Sequence, residues 1–193
     1  MSEPYWNERS DPYQYPDSTV LKNIPGILDP AALEQFEKRV TTLRLDEVLE
    51  AIAHTPISLE SWQSIHRILF QDVYAWAGEI RTVHLAKGRT VFAMPEHIAS
   101  QAENIFSALA DDNPSDPSRL AYYFGELNVL HPFREGNGRT QKLLFDEIVR
   151  RDKKAIAWHV MDVNVLLNAL ITAYQKQDYT PLADLFTSAL RDI

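Results

Sequence analysis

Apolar residues return at three- and four-residue intervals through most of this chain, the period of helices that bury one face. Leu33, Phe36, Val40 and Leu43 form the first stripe. It opens at Asp29-Pro30, where an aspartate can cap free N–H groups and a proline suits the first turn. The pattern breaks at Thr55-Pro56. Ser58 then caps a second helix whose Leu59, Trp62, Ile65, Leu69, Val73 and Trp76 make a regular stripe, with Gly78 as its stop. Ile98, Ala102, Ile105 and Leu109 mark a third helix. After a polar break from Asp111 to Pro117, Leu120, Tyr123, Phe124 and Leu127 mark a fourth. Leu143, Leu144, Ile148 and Val149 place a helix that starts within Gly136-Asn137-Gly138. Val163, Leu166, Leu170 and Tyr174 make another, and Thr180-Pro181 opens a short last one with Leu182, Leu185, Phe186 and Leu190.

One stretch follows a different rule. Arg81-Thr-Val-His-Leu85 and Thr90-Val-Phe-Ala93 alternate around Lys87-Gly88-Arg89, which predicts a small β-hairpin over residues 80–94, the only one expected. Residues 1–30 carry proline, aspartate and tyrosine without a period and read as an irregular arm, with Tyr5, Trp6, Tyr13 and Tyr15 packing it against the body. The expected fold class is all-α with one small hairpin, in a single domain spanning 1–193.

Composition narrows the setting. A chain of 193 residues, 45% of them hydrophobic, can bury one good core. The absence of cysteine excludes disulfides and thiolate metal sites, which fits a reducing cytoplasm. A net charge of −8 disfavours direct nucleic-acid binding, and no apolar run is long enough to span a membrane. DNA would enter the biology only through a protein target.

The chemistry concentrates in His131-Pro-Phe-Arg-Glu-Gly-Asn-Gly-Arg139, running on to Lys142. Pro132 biases the residue before it away from helix, and Gly136 and Gly138 admit backbone conformations that other residues avoid. With a helix starting at this turn, free N–H groups and the positive end of a helix dipole converge there, an arrangement suited to phosphate. His131, with an ordinary pKa near ~6.5, can take a proton from an attacking hydroxyl. Glu135 suits Mg2+, which commonly takes one or two carboxylates plus the substrate's phosphates. Asn137 can donate an amide hydrogen bond to phosphate, Arg139 offers a planar fork, and Lys142 lies on nearly the same helix face. Phe133 reads as an inward anchor. His54, His66, His84, His97 and His159 lack such neighbours and read as structural or exposed.

These residues resemble the signature of the Fic family, His-x-Phe-x-Asp/Glu-Gly-Asn-Gly-Arg-x-x-Arg, at every position except the last. Glu126-Leu-Asn-Val-Leu130 and Asp11-Pro-Tyr-Gln-Tyr-Pro16 are similar to Fic proteins as well, so the likeness covers most of the chain. The resemblance implies a protein adenylyltransferase that moves AMP from Mg-ATP to a target hydroxyl. It makes His131 the general base, gives Mg2+ to Glu135, and assigns the phosphates to Arg134, Gly136, Asn137, Gly138, Arg139 and Lys142. It also implies that the hairpin is a flap whose Thr82, Val83, His84, Leu85, Lys87 and Gly88 pair with the target's backbone. Lys142 stands where the family has a second arginine, keeping the charge but losing the two-pronged geometry.

Many Fic enzymes are restrained by a helix carrying Ser/Thr-x-x-x-Glu-Gly/Asn. In these 193 residues only Glu103 and Glu135 are followed by glycine or asparagine, and the residue four before Glu103 is Ala99. The resemblance therefore points to Fic toxins whose inhibitory helix resides on a separate small antitoxin. Targets of such toxins include the GyrB and ParE subunits of the type II topoisomerases DNA gyrase and topoisomerase IV. Two other readings stand beside it. One is a transferase with another donor, or a kinase like the related toxin Doc; the other is a Fic fold that only binds protein.

Overall fold

A computed structural model describes residues 11–112 and 114–193. Among them run α1 (Pro30–Leu43), α2 (Leu45–Ile52), α3 (Leu59–Phe70), α4 (Pro95–Ala110), α5 (Pro117–Leu130), α6 (Asn137–Arg150), α7 (Val163–Lys176) and α8 (Thr180–Ala189). Two ribbons complete the fold: β1 (Ala86–Lys87) with β2 (Thr90–Val91), and β3 (Lys154–Ile156) with β4 (Leu190–Asp192), both antiparallel. The chain is mostly helical, as its periodicity predicts.

The caps follow the sequence. Asp29 accepts from the Ala32 N–H at 2.7 Å, and Ser58 exchanges hydrogen bonds with Ser61 in a capping box. Asp116 and Asp162 cap α5 and α7 in the same manner. Each cap satisfies donors that a helix leaves unpaired, about 1 kcal/mol apiece.

The stripes meet in one apolar core. Trp62 and Ile65 of α3, Tyr123 of α5, Phe145 of α6 and Phe186 of α8 are fully buried, with Phe133 between them from the motif loop. Burying such a side chain contributes about 1.5–3 kcal/mol. α5 lies at the centre, against α8, α4 and α6, so both helices that flank the motif loop are anchored along their length.

Three features depart from expectation. The second helix ends at Phe70 rather than Gly78. Val73 and Tyr74 both donate to the Phe70 carbonyl, and the Ile24 N–H takes the Val73 carbonyl, so the arm bends the chain away and Tyr74 stacks on Trp76 at 4.3 Å. An additional helix, α2, follows α1 after a bend at Arg44, whose guanidinium holds Asp72 at 2.8 Å and Glu47 at 2.7 Å. The β3–β4 ribbon is a second β element where only one was expected; it joins segments on either side of α7 and α8.

Of the arm, Tyr5 and Trp6 lie outside the described residues, while Tyr13 and Tyr15 pack against the core. No helix among the described residues is long and apolar enough to cross a membrane.

Candidate active site

The motif forms the loop between α5 and α6. His131 is the C-terminal cap of α5, left-handed at φ 44° and ψ 60°, a conformation that costs a side-chain-bearing residue about 1–2 kcal/mol. Phe133 anchors the loop, fully buried and stacked on His66 at 4.0 Å. The Asn137 side chain clamps the same residue from both sides: Oδ1 accepts from the Phe133 N–H at 2.9 Å, and Nδ2 donates to its carbonyl at 2.7 Å. Gly136 turns the chain into α6 at φ 81°, where a Cβ would lie 2.4 Å from the Phe70 ring. The first N–H groups of α6 have no partner within the helix. A Cβ on Gly138 would meet nothing within 4 Å, so the space beside this helix start is open.

His131 lies under the hairpin. Its ring stacks on Phe92 at 3.8 Å, and Nδ1 lies 3.3 Å from the Asn128 carbonyl. A carbonyl only accepts, so Nδ1 carries the proton and Nε2 is the unprotonated nitrogen. Burial, helped by the charges of Arg81 and Lys87, pushes the pKa down to about 3. The imidazole is therefore neutral at physiological pH, and the burial that keeps it so also makes it a weak base.

Glu135, Arg139 and Lys142 face another side of the turn, on a cleft of about 800 Å³ also walled by Glu37, Tyr74 and Leu143. Glu135 accepts from the Gly136 N–H at 2.9 Å, which holds its carboxylate at the head of the helix. Arg139 lies over the Phe70 ring at 4.7 Å and pairs with Glu37 at 2.6 Å and Glu135 at 3.6 Å. Glu37 also accepts from the Tyr74 hydroxyl at 2.5 Å, so the cation sits on a braced carboxylate. The Lys142 ammonium lies 5.1 Å from the Trp158 ring, one helical turn further on. Next to it Asp146, half-buried and accepting from Trp158 Nε1 at 2.7 Å, has its pKa raised to about 6 by desolvation.

The structure thus sets Glu135, Arg139 and Lys142 on the cleft and His131 under the hairpin at the α5 end of the same loop, which Gly136, Asn137 and Gly138 carry into α6, and it gives two of the expected phosphate ligands other tasks. Arg134 is 4% exposed and forms a buried ion pair with Asp11 at 2.8 Å, so its guanidinium ties the arm to the loop instead of facing the cleft. The Asn137 amide is spent on Phe133.

The hairpin is present but shorter than expected, with two-residue strands and Gly88 at φ 56° in the turn. Val83 and Leu85 point inward and bury with Phe92, while Thr82 and Gly88 are exposed and His84 and Lys87 are half-buried. Tyr13 packs edge-on against Trp76 and its hydroxyl accepts from the Thr82 N–H at 3.2 Å.

Three residues hold the site in ways that the sequence reading did not specify; His66, expected to be structural or exposed, is structural. His66 accepts from the Gly78 N–H through Nδ1 at 2.8 Å, so its Nε2 carries the proton and donates to the Glu135 carbonyl at 3.0 Å. Burial pushes its pKa down to about 3. Glu37 braces Arg139, and Arg81 is a buried cation. The available signal was the same in each case: a polar residue in register with an apolar stripe, such as Arg81 beside Val83 and Leu85 at period two.

Residues 56–149 match the Fic/DOC family. Over 186 residues the chain is 31% identical to the probable protein adenylyltransferase y4lH of Sinorhizobium fredii, covering 92% of this chain and 95% of that protein. The chain belongs to the Fic/DOC family. It is also 36% identical over 172 residues to the protein adenylyltransferase VbhT of Bartonella schoenbuchensis, covering 86% of this chain but 36% of VbhT, so it spans about a third of that relative's length. The fold is that of Fic domains: the crystal structure of BepC from Bartonella tribocorum, with bound AMPPNP, superposes with a TM-score of 0.78 at 22% identity, over 94% of this chain and 97% of that one. The relatives that it matches at 30–36% identity over most of its length are named protein adenylyltransferases or probable protein adenylyltransferases, and the chain is an enzyme of that nucleotidyltransferase class.

Proposed function

We propose that this Fic protein transfers AMP from Mg-ATP to a hydroxyl side chain of a protein target, releasing pyrophosphate. The observation that carries the reading is the convergence, on one turn, of a neutral imidazole and an open helix N-terminus flanked by Arg139 and Lys142. The target hydroxyl oxygen attacks the α-phosphorus in line. The bond from that phosphorus to the bridging oxygen breaks, pyrophosphate leaves, and the hydroxyl proton passes to His131 Nε2. The N–H groups at the start of α6 and the guanidinium of Arg139 stabilise the charge that develops on the phosphate oxygens. Arg139 exchanges part of its pairing with Glu37 and Glu135 for phosphate when nucleotide arrives.

Glu135 fits a magnesium site. Its carboxylate is one-third exposed at the mouth of the cleft, and among the described residues no group of three or more His, Cys, Asp or Glu could hold a metal unaided. One carboxylate completed by triphosphate oxygens and water is an ordinary Mg2+ environment. Bound Mg2+ would neutralise charge on the phosphates. The hairpin covers His131 through Phe92, and an extended target segment paired along its exposed edge would present its hydroxyl toward the imidazole.

The protein acts in this reading as a toxin on type II topoisomerases, DNA gyrase and topoisomerase IV, and is held inactive by a small antitoxin carrying the inhibitory helix. The lack of a complete Ser/Thr-x-x-x-Glu-Gly/Asn motif in these 193 residues supports control from a separate chain. Purified GyrB and ParE subunits, incubated with the protein and Mg-ATP, are expected to gain the mass of one AMP. If neither gains it while another bacterial protein does, the target is contradicted and the transfer stands. If no protein gains it, the transfer is contradicted.

A further inference from the structure

We infer that Arg81 is a positioning residue, the post that sets the hairpin at a fixed distance from His131; the catalytic part of this inference rests on the transfer reaction proposed above. Arg81 is 1% exposed, and its guanidinium donates to backbone carbonyls on two sides. Toward the motif, Nε meets the His131 carbonyl at 2.7 Å and an Nη meets the Leu130 carbonyl at 3.2 Å. Toward the hairpin, the Nη groups meet the carbonyls of Val83 and Ala93, each at 2.6 Å, one on either limb. Backbone bonds run parallel to these: the Arg81 N–H donates to the Pro132 carbonyl at 2.8 Å and the Ala93 N–H to the Val129 carbonyl at 2.9 Å.

The arrangement solves two problems with one side chain. The end of α5 leaves carbonyls without helical partners, and a cation there also meets the negative end of the helix dipole. Arg81, arriving from another element, supplies both. It thereby holds the backbone of His131 in its left-handed conformation, from which the imidazole stacks under Phe92. The ladder between β1 and β2 is only two residues long, so these bonds join the Val83, Leu85 and Phe92 cluster in ordering the hairpin's base. A planar fork with five N–H groups spans four carbonyls; an ammonium of similar length does not. Arg81 touches neither nucleotide nor target in this scheme. It acts through His131 and the hairpin.

The test is Arg81→Lys, with Arg81→Gln as a second variant should the first prove unstable. Three readouts are taken on the folded protein: hydrogen exchange of peptides covering 82–93 and 129–133, calorimetric binding of Mg-ATP, and AMP transfer to protein. We expect exchange in those two segments to rise at least about tenfold while α1, α3 and α8 keep parental protection. Mg-ATP affinity stays within about twofold of the parent, because the cleft is built by α1 and α6, and kcat for transfer falls on the order of a hundredfold. Unchanged exchange at the hairpin and motif overturns the inference. So does a fall in transfer explained wholly by weaker ATP binding or general unfolding. If the parent itself transfers no AMP, the proposed reaction has failed, and the exchange data alone still decide whether Arg81 holds the two elements together.

Discussion

His131 owes its charge state to where it is buried. An imidazole with a pKa near 3 stays neutral through the range in which an ordinary histidine, near ~6.5, takes up a proton. A base must be neutral to act, so transfer is expected to persist as pH falls from 7 to 5, and the acidic limb of the pH–rate profile should not centre near 6.5. A limb at that pH would contradict the burial argument. His131→Ala is expected to lower transfer by at least about a thousandfold with Mg-ATP binding kept, measured by calorimetry beside a single-turnover assay. Gly136→Ala strains the backbone at φ 81° and drives a Cβ to 2.4 Å from Phe70, which is expected to cost about 2–3 kcal/mol in urea unfolding. Lys142→Arg restores a second prong at the cleft and is expected to tighten Mg-ATP by about three- to tenfold; an unchanged Kd would show that Lys142 does not meet phosphate. The identities of these residues were legible in the sequence because they are local and dense. The tasks of Asn137 and Arg134 were not, since the first depends on the loop closing on Phe133 and the second on Asp11, 123 residues away.

Helices were legible because their signals are local: Asp29 and Ser58 as caps, apolar stripes between, and Gly136 marking the start of α6. What failed was set by contacts from elsewhere. The arm takes the Val73 carbonyl and ends α3 early, and β3 finds β4 only after α7 and α8 have folded back. The hairpin was visible from alternation, yet its first limb is held less by its own ladder than by Arg81 and Tyr13. The arm is pinned at one point by the Asp11–Arg134 pair, both side chains almost wholly buried. Removing Asp11 takes from the buried Arg134 its ion-pair partner, so Asp11→Ala is expected to cost about 3–5 kcal/mol in thermal or urea unfolding. The double variant Asp11→Ala with Arg134→Leu should recover part of that loss; no recovery would mean that the arm packs by other contacts.

Across the whole molecule, the groups buried in the polar layer around the motif tie stability to pH. His66 and His131 each bind a proton more readily in the unfolded chain, whose histidines titrate near ~6.5, than in the folded one, near 3. Stability therefore falls as pH drops through that window. Asp146 works in the opposite sense between its unfolded value near ~3.9 and about 6, since the folded protein holds that proton. For these three groups two protons against one leave one, a slope of about 1.4 kcal/mol per pH unit between roughly pH 6 and 4, and the lowered carboxyls of Asp72, Glu60 and Asp178 add to it in the same sense at the lower end. Denaturant midpoints measured over that interval check the sign. The same layer joins the arm, the hairpin and the motif: Asp11 with Arg134, Tyr13 with Thr82, His66 between Gly78 and Glu135, and Arg81 between the hairpin and His131. Together they frame the turn that carries the neutral imidazole and the start of α6. The most direct test of that account is incubation with bacterial lysate and Mg-ATP labelled at the α-phosphate, in parallel with label at the γ-phosphate, using His131→Ala as control. The account predicts a protein band labelled from the α-phosphate alone and absent with the variant. Label arriving from the γ-phosphate instead, or an α-label that survives in His131→Ala, would contradict it.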